Sequence, residues 1–337
     1  MNESSVAFFQ VVIRDYTPQW LHINCTEDSI AEATATCLTT DKQNHFSLGQ
    51  PNMRLALMET DTNKSMLVIS WHHGILDAIS WNLVLDDVHA VYNQQTRPKT
   101  YPYKHFIASL HSRTPAFIAG EKAYWKNRLS QLDVESFPKL EASNDESGMI
   151  RLPGFIEIPI QIITQFAQMN KVTIFTLLKA VWAMLLRKYT QSEEVVFGYT
   201  VSGRSSELEG VSSMIGPCIN TLPCHVRYDG SATIGEWIQS IHSDYISSLS
   251  YQQSSLREIQ GWAGISPLID SLLDYKTDAA SESVKTGIQS PDKTTNLQLI
   301  PLAGNERTEV CKQFMISWRL YIKNVFEPVI NQLFSIH

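Results

Sequence analysis

The strongest constraint on the fold comes from the stretch 173–227, where one helical pattern is followed directly by two extended ones. Apolar side chains recur at helical spacing from Thr173 to Tyr189, and threonine is a residue type that often caps a helix. The segments EEVVFGYTVSGR and IGPCINTLPCHVRYD follow, and each combines strand-forming residues with a glycine or glycine–proline turn. The apolar stripe of the helix consists of Phe175, Leu178, Trp182, Leu185, Leu186 and Tyr189. The first half of the chain mixes the two patterns in the same way, so the sequence predicts an α/β protein with two lobes.

A polar, turn-rich segment near the middle of the chain is the best candidate for a linker. It is FPKLEASNDESGMI, residues 137–150. We therefore predict one lobe over 1–140 and a second over 141–337, since 337 residues suffice for two lobes of medium size. A shorter stretch with two prolines, RPKTYPYKH at 97–105, predicts a connector.

Composition argues against several classes of function. The formal charge is −7, which does not suit a protein that binds nucleic acid or an anionic membrane surface. The longest apolar run is too short to cross a bilayer, and the N-terminus lacks the pattern of a secretory signal. Five cysteines, an odd number without a CxxC pair, favour free thiols in a reducing compartment. We therefore expect a cytoplasmic protein without a zinc site.

The stretch SWHHGILDAISW, residues 70–81, holds the side chains best suited to chemistry. The apolar, partly β-branched run SMLVISW predicts a buried strand, and Gly74 interrupts the pattern after it. From Ile79 onward the apolar residues return at helical spacing. The sequence therefore places His72 and His73 at the end of a strand or in the loop after it, and Asp77 just before a helix.

These side chains allow more than one interpretation. A neutral imidazole accepts a proton from an attacking amine or hydroxyl near pH 7, and only one of two adjacent strand histidines is expected to face a given cavity. The alternative is a structural histidine bonded to a backbone carbonyl, with Asp77 favoured at its position by the helix dipole. A metal site needs a third ligand, and neither an HExxH motif nor a nearby acidic cluster provides one.

Four ordered segments carry a resemblance to a known family. HHGILDA followed by WNLVLDDVHAVY resembles the HHxxxDG motif region of condensation domains in nonribosomal peptide synthetases. VVFGYTVSGRSSELEGVSSMIGPCINTLPCHVRYDG is similar to the later core region of that family, in which a strand leads to an SGR turn and then to a GPxxNxxP turn. AYWKNRLSQLDVESFP and SLREIQGWAG fit the intervening and following segments. The sequences of these motifs most resemble those of the fungal branch of the family.

The resemblance implies two lobes, each similar to chloramphenicol acetyltransferase, that meet in a V around a tunnel. It also implies an acyltransferase, in which a donor acyl group moves from a thioester to an acceptor amine, or to a hydroxyl in ester-forming members, with ring closure as a variant. The chain itself would bind no cofactor. Its partners would be carrier-protein domains, whose phosphopantetheine arms deliver both substrates, and other synthetase modules, with no nucleic acid and no membrane.

The same resemblance assigns roles to individual residues. His73 is the candidate catalytic residue, which deprotonates the acceptor or stabilises the tetrahedral intermediate. Supporting roles at the site fall to His72, Asp77 and Arg204. Substrate contacts are expected from Ala78, Ser80, Trp81, Gly216 and Asn220. Among these, the Ala78 N–H would keep a backbone donor for the oxyanion if its φ is allowed, while Trp81 equally suits a core position and Asn220 equally suits a structural turn.

The chain departs from the family pattern in several regions. The early segment whose arginine pairs with the motif aspartate is not found, so we expect an incomplete N-terminal lobe, with Arg54 or Arg204 as the partner of Asp77. YQQSSL, residues 251–256, stands in place of a histidine-containing motif. The alternatives to a condensation enzyme are an inactive remnant that docks carrier proteins or serves as a scaffold, and a stand-alone acyltransferase that uses acyl-CoA.

Overall fold

The computed structural model of the chain describes residues 17–62, 65–130, 158–205 and 207–275, the single positions 11, 13 and 132, and the pairs 288–289 and 296–297. By its internal contacts the chain divides into two compact units, residues 1–76 and 77–337. The predicted linker at 137–150 lies outside the described residues. The predicted lobes, 1–140 and 141–337, therefore stay a prediction.

The first unit is a β–α–β arrangement with a third strand added. Its elements are β1 (Trp20–Cys25), α1 (Ile30–Gln43), β2 (Met53–Thr60) and β3 (Ser65–Trp71). β1 runs parallel to β2, as the intervening helix permits, and β3 returns antiparallel to β2. Ala56, Met58 and Val68 form the buried centre against which α1 packs. The strand predicted from SMLVISW is confirmed as β3, but the prediction that it is buried is wrong for most of its length: Val68 is buried, whereas Leu67 is 41% exposed.

The second unit is built around strand β4 and a set of helices. Its helices are α2 (Ala78–Tyr92), α3 (Lys104–His111), α4 (Pro115–Arg128), α5 (Ile160–Met169), α6 (Ile174–Thr190), α7 (Ile234–Leu249) and α8 (Leu256–Ala263). Its strands are β4 (Glu194–Val201), β5 (Asn220–Arg227), β6 (Leu272–Leu273), β7 (Ile288–Gln289) and β8 (Asn296–Leu297). β4 pairs antiparallel with β5 and parallel with β6, while β7 and β8 form a separate antiparallel pair. The mixture of helix and strand predicted for residues 173–227 is confirmed.

Helix α6 begins as predicted and is buried more completely than predicted. The Thr173 hydroxyl accepts a hydrogen bond from the Thr176 N–H, so it caps the helix. Residues outside the expected stripe, such as Leu177 and Ala180, are also buried. Four members of the stripe are only half-buried: Phe175, Leu178, Trp182 and Tyr189. The prediction was too narrow because α5, α7, β4 and β5 all contribute to one cluster around this helix.

Local signals explain where α7 and α8 begin. Each begins with a capping box, formed by Thr233 with Glu236 in α7 and by Ser255 with Glu258 in α8. In each box, the side chain of either residue accepts a hydrogen bond from the backbone N–H of the other. The start of each of these helices therefore follows from its local sequence.

In the parts of the chain that the structure describes, no single helix has the length and apolarity needed to cross a membrane. Only α5 and α6 taken together meet that criterion, and these two helices are bent by 95° relative to each other.

Lys179 is a buried cation in the core of the second unit. Its side chain is 0% exposed, and its Nζ atom has no hydrogen-bond partner in the described part of the chain. Nζ lies 3.5 Å from the ring centre of Tyr199, 3.7 Å from that of Tyr245 and 4.5 Å from that of Phe175. Aromatic faces attract cations, which offsets part of the lost hydration. Burial nevertheless lowers the pKa of Lys179 to about 8.

This cation predicts a pH-dependent stability that a Lys179→Met variant lacks. Between about pH 8 and pH 10.5 the unfolded chain holds a proton on Lys179 that the folded chain has released. Stability should therefore fall as the pH falls through this window, by roughly 1 kcal/mol per pH unit relative to the methionine variant. Urea unfolding of both proteins across the window measures the difference. Lys188→Met, exposed on the same helix, is the control and should give a constant offset; a constant offset for Lys179→Met contradicts the prediction.

Candidate active site

His72 shapes the turn that follows strand β3. Its backbone N–H donates to the Asn52 carbonyl (2.9 Å), and its carbonyl accepts from the Ile75 N–H (3.0 Å). Its ring Nδ1 accepts from the Gly74 N–H at 3.0 Å, so the neutral ring carries its proton on Nε2. A Cβ atom at Gly74 would lie 2.9 Å from Nδ1, which explains why the turn uses glycine there. Both histidines lie in the loop after the strand, one of the two positions predicted for them.

His73 is exposed in the same turn, as His72 is. Over the residues that the structure covers, its ring makes no hydrogen bond, whereas the ring of His72 is held in place. An exposed imidazole without a fixed partner remains available to a substrate group. This turn therefore combines one anchored histidine with one available histidine.

Asp77 caps helix α2, and its carboxylate is fully engaged. Its Oδ1 accepts from the Ser80 N–H at 2.7 Å, and its Oδ2 accepts from the Cys218 N–H at 2.9 Å. Nη2 of Arg204 lies 3.1 Å from each of the two oxygens. Burial alone raises the pKa of Asp77, but these hydrogen bonds and the adjacent guanidinium outweigh it, so the pKa lies below its ordinary value. A buried, ionised carboxylate whose two oxygens already accept hydrogen bonds is suited to stabilising the structure and not to accepting a proton.

Arg204 is the cationic partner of Asp77, and Arg54 is not. Nη1 of Arg204 donates to the carbonyls of Val211 and Met214, both at 2.8 Å. Arg54 lies in the first unit, where its Nη1 donates to Asp41 at 2.6 Å. Of the two arginines that the sequence left open, the structure thus selects Arg204, which ties the start of α2 to the loop between β4 and β5.

Ser80 and Gly216 join the same network. The Ser80 hydroxyl is 0% exposed; it donates to the Gly216 carbonyl at 2.8 Å and accepts from the Gly216 N–H at 2.9 Å. The Gly216 carbonyl also accepts from Nη2 of Arg204 at 3.0 Å. Both residues were predicted to contact substrate, but Ser80 is buried and Gly216 has its backbone groups occupied, which favours structural roles.

Ala78 and Trp81 lie on the first turn of α2. Ala78 is exposed at the first helical position, where a backbone N–H has no partner within the helix itself. It is not among the described residues with positive φ, so alanine is compatible with the backbone here. Trp81 is half-buried. The geometry thus leaves the predicted oxyanion donor at Ala78 available.

Asn220 is the first residue of β5, and its amide is committed to the protein backbone. Its Nδ2 donates to the carbonyls of Gln252 (2.9 Å) and Ser254 (2.7 Å), and its Oδ1 accepts from the Thr221 N–H (2.9 Å). These contacts favour the structural alternative for Asn220. They also give a structural role to Gln252 and Ser254. Both lie in the stretch 251–256, which the sequence analysis noted only as a departure from the family pattern.

Replacing Asn220 separates the two interpretations. Asn220→Ala should lower the free energy of unfolding by roughly 1–3 kcal/mol, because two buried carbonyls lose their donor. Asn220→Asp should be more damaging, since a carboxylate would face the same two carbonyl oxygens. Urea denaturation measures both. Normal stability with weakened substrate binding in Asn220→Ala would instead support a direct substrate contact.

The sequence analysis missed Tyr101 and Tyr103, which lie in the predicted connector 97–105. Tyr101 forms an isolated bridge with Met214, and the Tyr103 hydroxyl donates to the Pro217 carbonyl at 2.8 Å. Both therefore support the loop that carries Arg204. The available signal was two tyrosines around a proline, but nothing in a single sequence indicates a contact more than a hundred residues away.

Comparison with known proteins identifies the family of the chain. The condensation domain family model matches residues 2–308, so the chain belongs to the condensation domain family. Bacitracin synthase 3 of Bacillus licheniformis is 30% identical over 72% of the chain, and nonribosomal peptide synthetase nlsA of Emericella nidulans is 29% identical over 84%. The chain spans only 4% and 5% of the length of these two relatives.

Solved structures support the fold. The first condensation domain of the calcium-dependent antibiotic synthetase, in complex with a substrate analogue, has a TM-score of 0.55 at 17% identity, over 82% of this chain and 65% of that chain. A holo four-domain nonribosomal peptide synthetase bound to AMP and glycine has a TM-score of 0.62 at 18% identity, over 82% of this chain and 22% of that one. The predicted α/β condensation-domain fold is confirmed. Relatives come from both bacteria and fungi, so the fungal type stays a prediction.

Proposed function

We propose that this condensation domain forms an amide bond between two substrates carried as thioesters. The observation that carries the proposal is the exposed, unengaged imidazole of His73 in a turn that His72 anchors, four residues before the buried cap Asp77. An available base in a fixed turn suits proton transfer from an attacking amine.

The proposed step is an acyl transfer. The acceptor amine attacks the donor thioester carbonyl and forms the new C–N bond in a tetrahedral intermediate, and the collapse of that intermediate breaks the C–S bond and releases the thiolate. The imidazole of His73 takes the proton that the amine loses and returns it to the departing thiolate. The Ala78 N–H, free at the helix start, is a donor for the oxyanion of the tetrahedral intermediate. Trp81, half-buried on the same turn, is a candidate substrate contact.

The supporting residues act on geometry. Asp77 and Arg204 fix the start of α2, and Ser80 and Gly216 join that start to the loop between β4 and β5. Asn220 holds the segment 252–254 and acts on substrate only indirectly. The chain itself would bind no cofactor. Its partners would be carrier-protein domains with phosphopantetheine arms and further synthetase modules, and a cytoplasmic location stays a prediction from composition.

Mass spectrometry with two loaded carrier proteins tests the proposal. One carrier presents a donor acyl thioester and the other an aminoacyl thioester, and the expected product is the amide on the acceptor carrier. Carrier binding without consumption of the donor would contradict the proposal and favour the scaffold alternative. Equal product formation from free acyl-CoA, without a donor carrier, would favour the stand-alone acyltransferase.

A further inference from the structure

Tyr103 braces the loop segment that holds the start of helix α2. Its hydroxyl donates to the Pro217 carbonyl at 2.8 Å, and its ring stacks on Phe106 with 5.6 Å between the ring centres. The ring also lies directly on Gly216, where an added Cβ atom would come within 2.3 Å of the ring carbon Cδ2. Glycine at 216 is thus required by the tyrosine, and the tyrosine fills the space that glycine leaves.

The segment that Tyr103 supports, residues 216–218, bonds to the residues at the start of helix α2. Gly216 bonds to Ser80 through both its N–H and its carbonyl. Cys218, on the other side of Pro217, donates its N–H to Asp77. Tyr103 therefore holds Pro217, the middle residue of the segment 216–218. The two outer residues, Gly216 and Cys218, fix the start of α2, the helix that follows the His73 turn in sequence.

We propose that Tyr103 is a positioning residue for the condensation reaction, acting through the segment 216–218 on Asp77 and Ser80. This inference rests on the proposed function. It assigns no contact with substrate to Tyr103, because its hydroxyl is used by the Pro217 carbonyl. Burial keeps the phenol protonated under ordinary conditions, with the pKa of Tyr103 raised to about 12, so the donor persists across the working pH range.

Tyr101 offers a matched control in the same loop. Its ring lies on Gly210, where a Cβ atom would come within 2.2 Å, as the ring of Tyr103 lies on Gly216. Its hydroxyl donates to the exposed carboxylate of Glu209 at 2.9 Å. Tyr101→Phe thus removes a tyrosine hydroxyl from the same loop support without touching the segment 216–218.

The experiment compares Tyr103→Phe with Tyr101→Phe in two measurements on the full chain. The first is amide hydrogen exchange at Gly216 and Cys218, which we expect to accelerate roughly tenfold in Tyr103→Phe, the effect of one lost hydrogen bond. The second is amide formation from loaded carriers, where we expect kcat to fall roughly 3- to 10-fold with KM unchanged. Tyr101→Phe should change neither quantity. Gly216→Ala, which forces a methyl group against the Tyr103 ring, should change both in the same direction as Tyr103→Phe and by more.

The outcomes separate this inference from the proposed function. Faster exchange at Cys218 with unchanged kcat would show that Tyr103 stabilises the segment 216–218 without affecting the reaction, and would overturn the positioning role. Unchanged exchange, or a change in KM alone, overturns it as well. If the natural chain formed no amide from loaded carriers, the proposed function would fail, whereas the exchange data would still decide whether Tyr103 fixes the segment 216–218 that bonds to Asp77.

Discussion

Replacing His73 by alanine is expected to reduce amide formation roughly 10²–10⁴-fold while leaving the protein folded. That range is the usual contribution of a positioned general base, and His73 is the available imidazole in the turn. The side chain is exposed and makes no hydrogen bond in the described residues, so its loss should cost little stability. Single-turnover mass spectrometry with loaded carriers measures the rate, and urea denaturation verifies the fold.

His45→Ala is the matched control, because His45 is also an exposed histidine in the first unit. It should react at the rate of the natural chain. His72→Ala should reduce both stability and turnover, since Nδ1 of His72 accepts the Gly74 N–H that holds the turn. Equal rates for His73→Ala and His45→Ala would contradict the catalytic assignment.

Elements with a strong local pattern could be predicted from the sequence. The strand 65–71 is apolar and partly β-branched, and Asp77 precedes a helical repeat, so β3, the loop and α2 follow from local physics. The cap at Thr173 and the helix after it follow in the same way. The extent of burial of that helix did not follow. A lysine within a helical pattern suggests an exposed face, and only the tertiary structure brings the three rings around Lys179.

For the candidate site, too, the local sequence motifs could be predicted and the tertiary contacts could not. The motif segments pointed to His73, Asp77 and Arg204, and the structure brings Asp77 and Arg204 together. The choice between Arg54 and Arg204 could not be made, because both arginines lie far from Asp77 in sequence. Tyr103 was missed for a related reason, since its partner Pro217 is 114 positions away. Ser80 was placed on a substrate surface because a helix start next to a motif gives no indication of which face is buried.

Removing Arg204 is expected to cause the largest loss of stability. Arg204→Met leaves the Asp77 side chain, which is 0% exposed, without its cation, and breaking such a buried pair costs roughly 3–5 kcal/mol. Asp77→Asn should also destabilise, because it leaves a buried guanidinium without its anion. The double variant Asp77→Asn/Arg204→Met should lose less than the sum of the two single losses. Urea denaturation of the four proteins gives the coupling energy directly.

The pH dependence gives an independent test of the same pair. The folded-state pKa of Asp77 lies below its ordinary value, so the stability that its charge provides is complete above about pH 4 and is lost as the pH falls through the lowered pKa. In Arg204→Met the pKa of Asp77 should rise, because the guanidinium no longer favours the charged form. The stability deficit of this variant should therefore be smaller near pH 4, where Asp77 can take up a proton, than near pH 7. Arg187→Met, which removes an ion pair with the exposed Glu193, is the control and should cost about 1 kcal/mol or less. A deficit for Arg204→Met as small as that of Arg187→Met would show that the pair does not fix the start of α2.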